Sequence, residues 1–259
     1  MKAAVFVGPK GSGKDTCADL LRKQKRLRVS IPFALPLKRI CMAVFNLHTN
    51  LINDPVLKEK ELKEPIKITI KHLRNIKNLM QTYVDPYGEG TYYNLNKATD
   101  NLVGRLLKTP REVLQIIGTE FIRNEIHPDW HCMAAFSEKN LKEVIKSNNR
   151  NLTIAVTDCR FPNEFNYINA KFGADAEYFY VERPEAEERL AKATHASETE
   201  VLKVKDLLLK FGGTVIENNG TIEDLKSKLA DIKVPDSSGK VDDTPAPGSR
   251  FKFVPRGSA

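Results

Sequence analysis

Nowhere does the 259-residue chain hold the roughly 18 to 20 consecutive apolar residues that a membrane-spanning helix needs. Nor does it open on a charged and then apolar leader, since Met1 runs straight into the strand-like KAAVFV. Cysteine is scarce. Cys17, Cys41, Cys132 and Cys159 show no CxxC spacing, which excludes a disulfide framework and a zinc ribbon and leaves reduced thiols in a cytosolic protein as the expectation. His127, His131 and Cys132 are the one grouping near metal-ligand spacing, but Pro128 interrupts them and further ligands would have to come from afar, so they are read as structural. No internal repeat is present. The 41% apolar content is ordinary and supports one α/β domain with room for an inserted subdomain.

Charge is abundant. The 41 basic residues against 33 acidic give a net +8, which suits an anionic ligand without naming it. Five of the positive charges fall in RKQKRLR at Arg22 to Arg28. That run follows a helical pattern, so its first reading is a solvated helix end whose cations offset the dipole, with a nucleic-acid patch as the alternative.

The pattern predicts a buried strand at Lys2 to Val7, a helix from Lys14 to about Arg26, a short strand at Arg28 to Ile31 and a helix from Leu37 to about Leu47. From His48 to Gly104 the composition shifts, with a turn cluster DPYGEG at 85–90, and this stretch reads as an insertion. Thr109, Pro110 and Glu112 carry the start signals of a helix through REVLQIIGTEFIRNEI, with Gly118 inside it. A helix from Trp130 to Ser147, strands at Leu152 to Val156, Glu177 to Val181 and Gly212 to Asn218, a charged helix after Pro184 and a closing helix at Thr221 to Asp231 complete the pattern. Strands alternating with helices imply a parallel sheet. Beyond Lys233 the Pro, Asp, Ser and Gly content predicts a disordered tail over 233–259, whose last residues, VPRGSA, look like the remnant of an engineered protease site.

The chemistry starts at GPKGSGKDT, Gly8 to Thr16, between the first strand and the first helix. Gly8, Gly13 and Lys14 satisfy GxxxxGK in its required context. Glycines let backbone N–H groups turn toward phosphate oxygens, the helix N-terminus adds partial positive charge, and Lys14 reaches the β and γ phosphates. Gly11, Ser12, Gly13, Lys14, Asp15 and Thr16 are therefore the candidate ATP-binding residues. Asp15 stands where Ser or Thr is usual, with Thr16 next. Small-molecule kinases resembling adenylate kinase share that spacing, so Thr16 is the candidate Mg²⁺ ligand and Asp15 a candidate for the metal's water or the phosphoryl acceptor. The expected fold is thus a P-loop three-layer α/β/α domain over 1–232, with an inserted, mostly helical substrate-binding region at about 48–104; likeness to such kinases implies a lid at about 182–199.

Further segments carry a family resemblance. SIPFALPLKRICMAVF (Ser30 to Phe45), TPREVLQIIGTEFIRNEIHPDWHCMA (Thr109 to Ala134), TDCRFPNE (Thr157 to Glu164), HASE (His195 to Glu198) and VIENNGTIEDL (Val215 to Leu225) resemble, in that order, the bacteriophage deoxynucleoside monophosphate kinases. The resemblance spans most of 1–232 and is weak across the insertion. It implies transfer of the γ-phosphoryl group of ATP to a deoxynucleoside monophosphate, with Mg²⁺ as cofactor, in the host cytoplasm. Other P-loop kinases, of phosphomevalonate or dephospho-coenzyme A type, are the enzymatic alternative, and a nucleotide-regulated nucleic-acid-binding protein is the alternative from another class. Small nucleotides are the expected partners, with no membrane, nucleic acid disfavoured and a homodimer left open.

Asp158 and Arg160 fall at the C-terminal end of a buried strand, where parallel sheets assemble their sites. Asp158 is a candidate Mg²⁺ ligand, direct or through water, and Arg160 a candidate for neutralising phosphate charge, with a structural ion pair or a helix cap as the plain reading. Glu164 is implied by the resemblance to help hold the acceptor. Arg111 and Gln115 lie four apart on one helix face, suited to a phosphate and a base edge, with Glu112, Thr119 and Arg123 as neighbours. Trp130 is a candidate for stacking on the base, against a core role. Phe33 and Lys38 are candidates for the acceptor pocket, though Phe33 also suits plain core, and Arg183 or Arg189 for the lid, fixed by His195 and Glu198, with solvated helix charges as the equal alternative.

Overall fold

A computed structural model of the chain describes residues 1–84, 100–145, 152–192 and 199–235. The predicted turn at 85–90, Ser147, His195, Glu198 and the tail beyond residue 235 lie outside the described residues.

KAAVFV forms β1 (Lys2–Val7), and Ala3 to Val7 are each fully buried. An unbroken apolar strand belongs in the middle of a sheet covered on both faces, and β1 is the central strand. It runs parallel to β5 (Thr153–Val156) on one side and to β6 (Ala176–Glu182) on the other. Outside β5 lies β2 (Val29–Ser30), and outside β6 lies β7 (Thr214–Glu217), both parallel, giving the order β2-β5-β1-β6-β7.

The period-2 alternation of β1 sorts its side chains into two layers. Ala3, Val5 and Val7 join the core under α8 (Pro162–Phe172) and α10 (Val201–Lys210), while Ala4 and Phe6 join the core under α1 (Lys14–Lys23) and α11 (Ile222–Asp231). This is a three-layer α/β/α fold. Arg26, in the basic run, donates to the carbonyls of Leu229 and Ile232 at the end of α11, and Arg22 pairs with Asp19 at 2.8 Å. Both contacts are those of a helix end.

A third core binds the inserted region. It gathers α2 (Ala34–Phe45), α3 (Thr49–Asn53), α4 (Ile70–Gln81) and a two-stranded antiparallel pair, β3 (Ile66–Lys67) with β4 (Leu106–Leu107), around Ile52, Leu73, Ile76, Phe121 and Trp130. A 3₁₀ turn at Leu57–Glu59 links α3 to this pair.

Three elements differ from expectation. α2 starts at Ala34, because the Asp158 carboxylate accepts the Phe33 and Ala34 amides at 2.8 and 2.9 Å and so satisfies the first turn before Leu37. The helix opened by Thr109 does carry the predicted capping box with Glu112, but after α5 (Pro110–Gln115) it widens into a π-helix over Ile116–Ile126. There a Cβ on Gly118 would stand 2.7 Å from Leu37 Cδ2, and the Gly118 carbonyl accepts from His131 Nε2 at 2.9 Å. Burial lowers the His131 imidazolium to about 4, so the neutral ring with its proton on Nε2 fits this bond. The stretch from Trp130 breaks into α6 (Trp130–Ala135) and α7 (Glu138–Val144), since the Ser137 hydroxyl accepts the Asn140 amide and starts a new helix. Among the described residues no helix is long and apolar enough to cross a membrane.

Candidate phosphoryl-transfer site

The loop between β1 and α1 leaves the C-terminal end of the central strand, beside the ends of β6 and β7. Gly8, Gly11 and Gly13 have φ of 146°, 81° and 102°, a region that side chains rarely enter. At Gly13 the space is also taken, for a Cβ there would lie 2.4 Å from Asn218 Nδ2. Asn218, just past β7, donates to the Ser12 carbonyl at 2.8 Å and holds the loop from the opposite strand. The Ser12 hydroxyl is buried with no partner among the described residues, an orphaned donor facing the cradle's own backbone. A phosphate group fits such a cradle.

Lys14 is buried and folds back to donate to the Gly8 and Pro9 carbonyls at 2.7 and 2.6 Å. Burial, and then the nearby Arg160 guanidinium, lowers its ammonium to about 8. Asp15 is exposed and Thr16 half-buried in the first turn of α1; neither side chain has a hydrogen-bond or ion-pair partner among the described residues, though the Asp15 charge acts on Lys14.

From the end of β6, α9 (Pro184–Leu190) leans over the loop, pinned by Tyr180 Oη donating to Glu187 at 2.8 Å. The two lid candidates part company here. Arg189 reaches the loop, its Nη2 only 2.9 Å from where a Gly11 Cβ would stand, whereas Arg183 pairs with Glu185 at 3.0 Å and is exposed.

On the other side of the loop stands α5. Arg111, Gln115 and Thr119 follow one another at four-residue spacing, all half-buried, and the last two have no hydrogen-bond partner among the described residues. The Arg111 Nε and Nη2 donate to Glu59 Oε1 at 3.0 and 2.7 Å, and Lys10 of the phosphate loop donates to the same oxygen at 2.7 Å. These bonds pull the Glu59 carboxyl down to about 2. Lys58, beside it, is lowered to about 8 by partial burial and by the charges of Lys38, Arg111, Lys10 and Arg160. Lys38 itself donates to Asn53 at 3.1 Å.

Several candidates also hold the fold together. Asp158 accepts one α2 amide on each oxygen, and burial raises its carboxyl above the usual range. Glu164 is buried, with Oε1 paired to Arg123 at 2.5 Å and Oε2 accepting the Arg160 and Phe161 amides at 2.8 and 3.1 Å, so it caps α8 instead of facing a ligand. Glu112 caps α5 through the Lys108 and Thr109 amides. Phe33 is core, edge-on to Phe136 at 6.1 Å. Trp130 is fully buried between Tyr83 and His131, closed off from any open pocket wall. Arg160, by contrast, keeps its guanidinium free of ion pairs among the described residues while its field reaches Lys14, Lys58 and Asp158.

Sequence reasoning missed Lys10, Lys58, Glu59 and Asn218. Lys10 occupies a variable position of the loop pattern, Asn218 reads as the end of the last predicted strand, and Lys58 and Glu59 fall in the stretch read as an insertion. Only the folded contacts single them out.

The model of the family described as deoxynucleotide monophosphate kinase matches residues 56–229, well over half of the chain. A deoxynucleoside-5′-monophosphate kinase of Escherichia phage T5 is 24% identical over 231 residues, covering 80% of this chain and 88% of the relative. Among solved structures, a dephospho-CoA kinase from Campylobacter jejuni aligns over 88% of this chain and 94% of its own, at 13% identity and a TM-score of 0.37, a likeness too distant to bear on activity. With a glycine-cradled lysine at the sheet's centre and that match over most of the chain, this protein belongs to the deoxynucleotide monophosphate kinase family.

Proposed function

We propose that the protein transfers the γ-phosphoryl group of ATP to the phosphate of a deoxynucleoside 5′-monophosphate, giving ADP and the diphosphate. The observation that carries this reading is the junction at Glu59, where Lys10 of the phosphate loop and Arg111 of α5 meet on one carboxylate oxygen. A donor cradle and a helix with a free Gln115 and Thr119 beside an arginine are thereby brought within one side chain of each other.

In this reading the loop amides, Lys14 and Arg189 bind the donor phosphates. Arg111 takes the acceptor phosphate, Gln115 and Thr119 meet the base, and Arg160 with Lys38 neutralises charge between the two. No side chain forms a covalent bond. The chemistry is positioning and charge neutralisation, helped by closure of α9 against water. The Thr16 hydroxyl and Asp15 carboxylate are oxygen donors of the kind Mg²⁺ takes when phosphates and water complete its shell. That ion would offset phosphate charge, and Asp158, which accepts one amide on each oxygen and so fixes α2, keeps further lone pairs for the ion or for its water.

The test is ADP release from ATP and Mg²⁺ with each of the four deoxynucleoside monophosphates, for wild type and Arg160→Ala. Turnover with at least one acceptor, lost in the variant, is expected. Tight ATP binding without turnover on any of the four would overturn the reading.

A further inference from the structure

Glu59 Oε1 sits where three charged N–H donors from two segments point at one spot, at 2.7, 2.7 and 3.0 Å. That is the coordination a phosphate oxygen takes from a lysine and a bidentate arginine. Further positive charge lies close by: Lys58 is the neighbour of Glu59 on a three-residue turn, and the charges of Lys38, Arg111, Lys10 and Arg160 bear on Lys58. Glu59 is also 46% exposed, as is Lys10, so water and salt screen the pair and a rotation of the side chain releases it. A monoanion held this way gives place readily to a dianion.

We propose that the Glu59 carboxylate is an exchangeable stand-in for a phosphate group, and that Lys10, Arg111 and Lys58 form a phosphate subsite which Glu59 neutralises until a nucleotide displaces it. The proposal rests on the kinase reading for its natural ligand, the phosphate monoester of the acceptor, with the γ-phosphate of the donor as the other source of the same chemistry. It gives the inserted region a direct role, because the turn at Leu57–Glu59 supplies both a ligand, Lys58, and the group that guards it. The carboxylate joins the phosphate loop to α5. When phosphate arrives, Glu59 swings into solvent and the loop and helix are joined through the ligand instead.

The test is calorimetric titration of the nucleotide-free full-length protein with inorganic phosphate, with a deoxynucleoside monophosphate alone and with ATP alone, for wild type and Glu59→Gln. Exchange predicts about three- to tenfold tighter binding of phosphate and of monophosphate in the variant, by removal of a competitor, with ATP unchanged if the acceptor is the source. A gain confined to ATP would assign the subsite to the donor phosphate instead. In an Arg111→Met background the Glu59→Gln gain should vanish, because the carboxylate then has less to compete for; a gain that persists there marks mere long-range charge and overturns exchange. Unchanged or weaker phosphate binding in Glu59→Gln, with its melting temperature intact, also overturns it and makes Glu59 a structural tether. The two readings fail separately. Turnover on deoxynucleoside monophosphates without the gain sinks the exchange alone, whereas the gain without turnover sinks the acceptor assignment alone.

Discussion

Arg123, on the π-helical segment, places its Nη2 2.5 Å from Oε1 of Glu164, at the first turn of α8, and both side chains are almost entirely withdrawn from solvent, at 10% and 5% exposure. The guanidinium also lies 3.7 Å over the Phe161 ring. The other oxygen of Glu164 receives the Arg160 amide. One buried pair therefore fixes the backbone of the residue proposed to neutralise the phosphates.

Breaking that pair should unfold the protein before it disturbs recognition. Glu164→Ala strands a buried guanidinium and two amides, and we expect a loss of roughly 3 to 5 kcal/mol in urea denaturation. Glu164→Gln keeps an oxygen for the amides and should lose less. A variant of full stability with a weakened acceptor KM would instead give Glu164 a place on the substrate.

Lys14 makes stability depend on pH in a definite sense. With its folded value near 8 and its ordinary value at 10.5, the unfolded chain binds more protons between these two, so stability rises with pH through that window. Lys14→Met carries no such group, should be the more stable protein at pH 7, and should lose that advantage as pH climbs from about 8 toward 10.5. Lys58 titrates in the same window, so the difference between the two proteins is the quantity to follow. ATP binding near pH 8 should also take up a proton, seen as a dependence of the binding enthalpy on buffer.

The two lid arginines should separate in kinetics. Arg189→Ala removes the guanidinium lying against Gly11 and should lower kcat by about a hundredfold or more, in the range known for charge-stabilising donors. Arg183→Ala breaks an exposed pair with Glu185 and should leave kcat and stability nearly unchanged. Equal losses in both variants would contradict the placement of α9.

Gly13 and Asn218 are coupled. Gly13→Ala meets both a φ of 102° and the Asn218 amide at 2.4 Å, and it should abolish ATP binding. Asn218→Ala alone frees the Ser12 carbonyl, should cost about 1 kcal/mol, and should raise the KM for ATP. In the double variant the steric part is relieved and the backbone strain remains, so ATP binding should recover only in part.

Trp130, the single tryptophan, reports on the third core. Its emission should be that of a buried indole and should not respond to added monophosphate, and Trp130→Ala should cost about 3 to 5 kcal/mol.

Much of this was legible along the chain because it is local. The loop pattern needs only neighbouring glycines and a lysine, the box at Thr109 and Glu112 closes within one turn, and β1 announces its burial by having no polar residue between Ala3 and Val7. The widening at Ile116 was not legible. Nothing in IIGTEF marks a π-helix, which forms where Gly118 lets Leu37 come close and His131 takes the carbonyl it offers.

The candidate site shows the same division. The sequence offers Asp158 as a Mg²⁺ ligand or a helix cap, and the family resemblance offers Glu164 as a support for the acceptor, since a carboxylate near a strand end reads alike whether it meets a ligand or an amide. Asp158 meets the amides of Phe33 and Ala34, more than 120 residues away in the chain, and Glu164 meets Arg123, 41 residues away. The sequence by itself determined that a phosphate loop opens a parallel α/β fold, because short-range periodicity and glycine spacing suffice for that. Only the tertiary structure decided which charges face the cleft and which are consumed in holding it together, because a buried polar group takes whatever partner the fold brings within about 3 Å, and sequence distance says nothing of that.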